Sequence, residues 1–169
     1  MLFILIPGLI LVALMIYAST RIKKTAAAAY DAETIETDEF VIQKPEGFLH
    51  NLNGDPKYIF EAYSKEYSKA NDKLRIGTAT ITRFDGETID GVANDLITDD
   101  ATTDDETQII DEHRYRLVTR DKDIDGVKAA MSYKLAEKNG NVYKLEITSL
   151  EERASSPWAE TFSDSFRVK

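Results

Sequence analysis

The start of the chain constrains it most: MLFILIPGLILVALMIYA carries no charged side chain over 18 positions. As a helix rising about 1.5 Å per residue, such a run is roughly 27 Å long, close to the hydrocarbon thickness of a bilayer. Pro7 and Gly8 stand near its beginning, where a helix tolerates proline best, and Tyr17 sits where an interfacial aromatic belongs. Arg21, Lys23 and Lys24 follow within reach of lipid phosphates. Leu2 to Ala18 is therefore predicted to be a membrane helix, and residues 1–20 a single-pass anchor in the lipid bilayer. The competing reading is a cleaved secretory signal, which needs a basic segment ahead of the apolar run and a small-x-small site behind it. Only the amino terminus precedes Leu2, cleavage after Ala18 would put Ile16 at a small-residue position, and cleavage within Ala26 to Ala29 would leave Arg21-Ile22-Lys23-Lys24 before the cut. Positive flanks stay on the cytoplasmic side, which predicts a cytoplasmic domain, with an extracytoplasmic envelope domain as the alternative.

The remaining chain has the opposite character. No acid occurs before Asp31, so the thirty Asp and Glu face only eighteen of the twenty-one Lys and Arg once the three bases at the anchor are set aside. That surplus repels phosphate backbones, and no basic patch offsets it, so a nucleic-acid partner is excluded. Cysteine is absent, which removes disulfides, thiolate metal ligands, thiol nucleophiles and a lipid-modified cysteine.

Residues 21–38 are predicted to be a basic flank and an Ala- and acid-rich linker or weakly helical stalk, and 39–169 one folded domain of ordinary size. Glu39 to Gln43 is a short strand ended by a turn at Lys44-Pro45-Glu46-Gly47, and Asn53-Gly54-Asp55-Pro56 makes a second turn. Tyr58 to Lys69 has both a helical repeat of Ile59, Tyr63 and Tyr67 and the aromatic and β-branched content of a strand; pairing with the alternating run Leu74 to Phe84 favours the strand. Glu87 to Thr98 places Ile89, Val92, Ala93, Leu96 and Ile97 on one helical face. An acidic loop, 99–106, comes next. Gln108 to Arg120 is a strand, Asp121 to Gly126 a turn, and Val127 to Glu137 a strand with Val127, Ala129, Met131, Tyr133 and Leu135 on one side. Asn139-Gly140 marks a tight hairpin into the strand beginning at Asn141, because a type I′ turn needs two left-handed residues. A closing helix begins at Ser155-Ser156-Pro157 and stacks Trp158, Phe162 and Phe166. The fold class is α+β: an antiparallel sheet of about six strands with packed helices.

The opening EFVIQKPEGF, with Pro45, Glu46, Gly47 and Phe48, and the closing Ser165-Phe166-Arg167-Val168 resemble the PsbP/Mog1/DcrB-like domain family over roughly Glu39 to Val168. These motifs are short and structural. The resemblance implies a PsbP-like fold and interaction modules, with no common chemistry.

Few constellations suggest chemistry. Asp121-Lys122-Asp123-Ile124-Asp125-Gly126 copies the first half of an EF-hand loop, but Ser132 stands where the bidentate Glu is required and Lys128 at the usual apolar position, so a solvated turn is expected. Asp99, Asp100, Asp104, Asp105 and Glu106 could attract a divalent cation or small ligand, or simply keep a loop in solvent. His50 and His113, the only histidines, are too few for a multi-histidine metal site. Neither Gly-x-Ser-x-Gly, His-Glu-x-x-His nor a phosphate loop occurs. No catalytic, metal or cofactor residues are assigned. The expectation is a non-enzymatic protein-interaction module near a bilayer, with Tyr63 and Tyr67 as candidate contacts; the alternative is a cation- or small-ligand-binding envelope domain using 99–106.

Overall fold

A computed structural model describes the backbone at 2–69, 72–97, 102–124, 126–150 and 156–169; the side chains at 2–9, 66–69, 72–74, 102–103 and 122 lie outside the described set. The elements run α1 (Leu2–Ala28), β1 (Glu33–Glu36), β2 (Phe40–Lys44), β3 (Phe48–His50), β4 (Phe60–Ser64), β5 (Glu66–Lys69), β6 (Asp72–Arg75), β7 (Gly77–Asp85), α2 (Ile89–Ile97), β8 (Thr102–Ile110), β9 (His113–Ile124), β10 (Val127–Lys138), β11 (Asn141–Leu150), α3 (Pro157–Ser165) and β12 (Arg167–Val168). The architecture is α+β. An antiparallel sheet of seven strands has the order β3-β4-β7-β11-β10-β9-β8, β2 is flanked by β1 and β12 in a small sheet, and β5-β6 is a separate ribbon.

Two layers cover the large sheet. On one face α2 sets Ile89, Val92 and Ala93 against Leu135 and Val142, while Leu96 and Ile97 reach Val118, Met131 and Tyr133. On the other, α3 and the small sheet pack Phe40, Ile42, Phe162, Phe166 and Val168 onto Phe60, Ala79, Ile81, Tyr115, Leu145 and Ile147. The aromatic rings meet edge-on or tilted, as their quadrupoles prefer, with Phe48 and Trp158 centroids 4.9 Å apart and Phe48 and Phe162 5.2 Å apart. Gly77 makes room for the indole: a Cβ there would lie 2.3 Å from the Trp158 ring.

Central strands are covered twice, which changes how β10 is buried. Its first half alternates as a one-sided strand does, but Tyr133, Lys134, Leu135 and Ala136 are all buried in succession. Lys134 belongs to the phase of β10 that sequence alternation would leave in water, and α3 covers it.

Several expectations are corrected. Residues 21–38, expected as a basic flank and a linker or weakly helical stalk, contain the end of α1, which continues to Ala28, and β1, Glu33–Glu36, which pairs with β2. Alanine is the strongest helix former, and Ala26 to Ala28 extend the helix. The stretch Tyr58 to Lys69 divides into β4 and β5, with β4 pairing β7 from Phe60↔Ile81 to Tyr63↔Thr78. The strand expected at Gln108–Arg120 is a hairpin, because Asp111 and Glu112 take left-handed φ of 50° and 67° with no glycine to signal the turn. Asn139 and Gly140 have φ of 53° and 74°, as the tight turn requires. Phe166 lies just past α3 and is still buried.

Among the described residues no helix is long and apolar enough to cross a membrane. From Ile10, where described side chains begin, α1 reaches Arg21 after about three turns.

Candidate functional site

Among the described residues two lysines on strands are almost fully buried, Lys44 at 1% and Lys134 at 3% exposure; Lys44 meets carbonyls just past the end of α1, and Lys134 meets one in the last turn of α3. A helix leaves its last carbonyls without intrahelical donors and carries partial negative charge there. Neither α1 nor α3 has a basic residue in its last turn. In both cases a strand supplies the cation.

Lys44, at the end of β2, donates through Nζ to the Ala29 carbonyl at 3.3 Å, the Phe48 carbonyl at 3.0 Å, and the Asp31 carbonyl. All three protons of the ammonium therefore have acceptors. The Gly47 amide, at a φ of 89°, donates to the Tyr30 carbonyl at 2.8 Å, and the Lys65 ammonium lies 4.6 Å from the Tyr30 ring centroid. These contacts hold the end of α1 on the domain.

Lys134 lies at the floor of a pocket of about 190 Å³ between the large sheet and α3. Its Nζ donates to the Ser163 carbonyl at 2.6 Å and lies 4.8 Å from the Tyr115 ring centroid. Burial, with the Arg167 guanidinium nearby, lowers its pKa from 10.5 to about 8, against the opposing pull of Asp164. Thr119 and Ser132 stand directly opposite each other on β9 and β10 and line the same floor. Ala159 and Ser163 of α3 form the roof, and the exposed Glu160 and Asp164, one turn apart, form the rim.

The residues singled out from sequence are dispersed. His50 stacks on Phe60 with centroids 5.2 Å apart, and burial lowers its pKa. His113 sits 3.4 Å from the Lys138 ammonium. Their strands are five sheet positions apart, roughly 24 Å, so they form no common site. Asp99 and Asp100 lie outside the described residues. Asp104, Asp105 and Glu106 are on strand β8 rather than in a loop, because β8 pairs with β9 through this stretch. Asp105 accepts from Arg116 at 2.9 and 2.7 Å, and Asp90 from Arg114 at 2.8 and 3.1 Å. Hydrogen bonds from those arginines hold both carboxyls below the usual range. Among the described residues no three His, Asp or Glu are grouped to hold a metal ion.

In the EF-hand-like stretch, Asp121 and Asp123 belong to β9, Asp125 lies outside the described residues, and Asp123 accepts the Gly126 amide at 2.7 Å as in a simple turn. Tyr63 is half-buried under the Arg75 guanidinium, 3.5 Å from its ring centroid, while the Tyr67 side chain lies outside the described set. Sequence reasoning missed Lys44 and Lys134. The signal that could have found them is the lack of any cation in the last turn of either helix.

No family model matches the chain, and no curated protein matches it. Solved structures do share its fold. Cyanobacterial PsbP (CyanoP) from Synechocystis superposes with a TM-score of 0.58 at 12% identity, over 83% of this chain and 94% of that one. LpqN, described as involved in cell envelope biogenesis of Mycobacterium tuberculosis, gives 0.59 at 9% identity over 82% and 91%. A Bacteroides thetaiotaomicron protein gives 0.52 at 14% identity over 77% of this chain and 45% of that one. Identities this low establish the fold alone, which is PsbP-like.

Proposed function

We propose that the chain is a single-pass membrane-anchored, non-enzymatic protein whose PsbP-like domain is held against a bilayer and binds another protein there. The observation that carries this reading is the surface of α1. Its large apolar side chains between Ile10 and Tyr17 are each more than half exposed, with no other described element folded over them. Apolar surface of that extent calls for a cover, and the uncharged sequence ahead of it, from Leu2, matches lipid better than water. The clamp at Lys44 supports the second part of the reading. About 15 Å of helix separates Ala18 from Ala28, so a domain fixed at that end stays near the headgroups and meets partners there. Tyr63 under Arg75 offers residue types favoured in protein interfaces.

The basic flank supports a cytoplasmic domain. The fold shared with LpqN, a protein described as acting in cell envelope biogenesis, favours the envelope side as a second reading. Alkaline carbonate extraction of membranes tests the anchor: retention in the pellet is expected, and release into the supernatant refutes it. Protease treatment of right-side-out vesicles then separates the two sides, protection meaning cytoplasmic and digestion meaning envelope. A photo-crosslinker at position 63 should give one discrete adduct in membranes, and the absence of any adduct refutes Tyr63 as a partner contact.

A further inference from the structure

The pocket above Lys134 has donors at its floor and acids at its mouth. Lys134 uses one ammonium proton on Ser163, has no carboxylate within ion-pair distance among the described residues, and is a three-donor group. The hydroxyls of Thr119 and Ser132, facing each other across β9 and β10, make no side-chain hydrogen bond among the described residues. Arg167 does not line the pocket, but its positive charge is felt at Lys134. At the outer end Glu160 and Asp164 present two exposed carboxylates from one face of α3.

This polarity selects a ligand class. A simple anion would approach the floor past two carboxylates, a simple cation would meet the buried ammonium, and a neutral molecule would answer neither charge. The volume, about 190 Å³, is below that of drug-sized pockets and suits a metabolite of about ten heavy atoms. We propose that this pocket binds a small zwitterion of the free amino acid type, its carboxylate on Lys134, Ser132 and Thr119 and its ammonium between Glu160 and Asp164. The inference is independent of how the chain is anchored.

Isothermal titration calorimetry on the full chain in detergent micelles tests it, with L-alanine and L-threonine as probes and acetate and methylammonium as their single-charge halves. Binding is expected for at least one amino acid and at least about tenfold more weakly for either half, a difference of about 1.4 kcal/mol. The Glu160→Gln/Asp164→Asn double variant changes only exposed side chains, so it should fold normally and bind at least tenfold more weakly. Lys134→Met should bind nothing. Silence with both amino acids, acetate or methylammonium binding as tightly as alanine, or an unaffected double variant would each overturn the proposal.

Discussion

Replacing Lys134 by methionine should change how stability depends on pH more than it changes stability itself. The folded pKa is about 8 and the ordinary value 10.5, a gap equivalent to about 3 kcal/mol at 1.36 kcal/mol per unit. The sign follows from proton binding. Between these values the unfolded chain holds the proton and the folded protein releases it, so stability rises with pH across that window; below pH 8 the buried charge is a constant penalty. Of the total, about 2 kcal/mol falls between roughly pH 7 and pH 9.5. Stopping there avoids the buried tyrosines Tyr115, Tyr133 and Tyr143, whose pKa values burial pushes up and whose ionisation destabilises the fold only at higher pH. In the variant the penalty disappears, while the Ser163 carbonyl loses its donor at a cost of about 1–3 kcal/mol, so the two proteins should be similar at neutral pH. Urea unfolding followed through the single tryptophan, Trp158, provides the assay. The wild type should gain about 2 kcal/mol on the variant as pH rises from about 7 to about 9.5. Curves that stay parallel would refute the idea that Lys134 is held desolvated beneath α3.

Three other outcomes follow from the geometry. Gly77→Ala would push a methyl group into the Trp158 indole, which Phe48 already backs, so a loss of about 1–3 kcal/mol and an altered tryptophan emission are expected in the same unfolding experiment. Glu112→Gly relieves a left-handed φ of 67° in the β8–β9 turn and should raise stability by roughly 0.5–1 kcal/mol, readable as a higher urea midpoint at unchanged slope. Arg116→Met frees Asp105, whose carboxyl Arg116 depresses. A depressed carboxyl stabilises the fold above its unfolded pKa and loses that contribution as pH falls through the folded one. Between about pH 5 and pH 2 the wild type should therefore lose more stability than the variant, by a small margin that added salt shrinks.

Legibility of the fold tracked how local its causes were. The β10–β11 hairpin could be read because Asn139-Gly140 states its turn chemistry in two residues and the flanking alternation sets the register, Lys138↔Asn141 through Ala129↔Leu150. The amphipathic face of α2 was equally clear, since Ile89, Val92 and Ala93 recur at helical spacing and are the residues buried. The β8–β9 turn was hidden because Asp111 and Glu112 adopt left-handed conformations that their side chains do not advertise. The ends of β1 and α1 were hidden for a different reason: an Ala- and acid-rich stretch has weak local preferences, and pairing with β2 and the Lys44 clamp decide them.

By itself, then, the sequence determined the apolar start, the acidic balance, the α+β class, the one-sided pattern of α2 and the Asn139-Gly140 turn, all carried by neighbours within a few residues. Which lysines become buried was decided only by the tertiary structure. Lys134 occupies the phase of β10 that local alternation leaves in water, Lys44 shares the buried phase of Phe40 and Ile42, and each acquires its hydrogen-bond partners from chain elsewhere: Lys134 from α3, 29 residues on at Ser163, and Lys44 from just past α1, 15 residues back at Ala29. A helix end offers carbonyls and negative charge to whatever lies beside it, and the packing of layers chose the side chain.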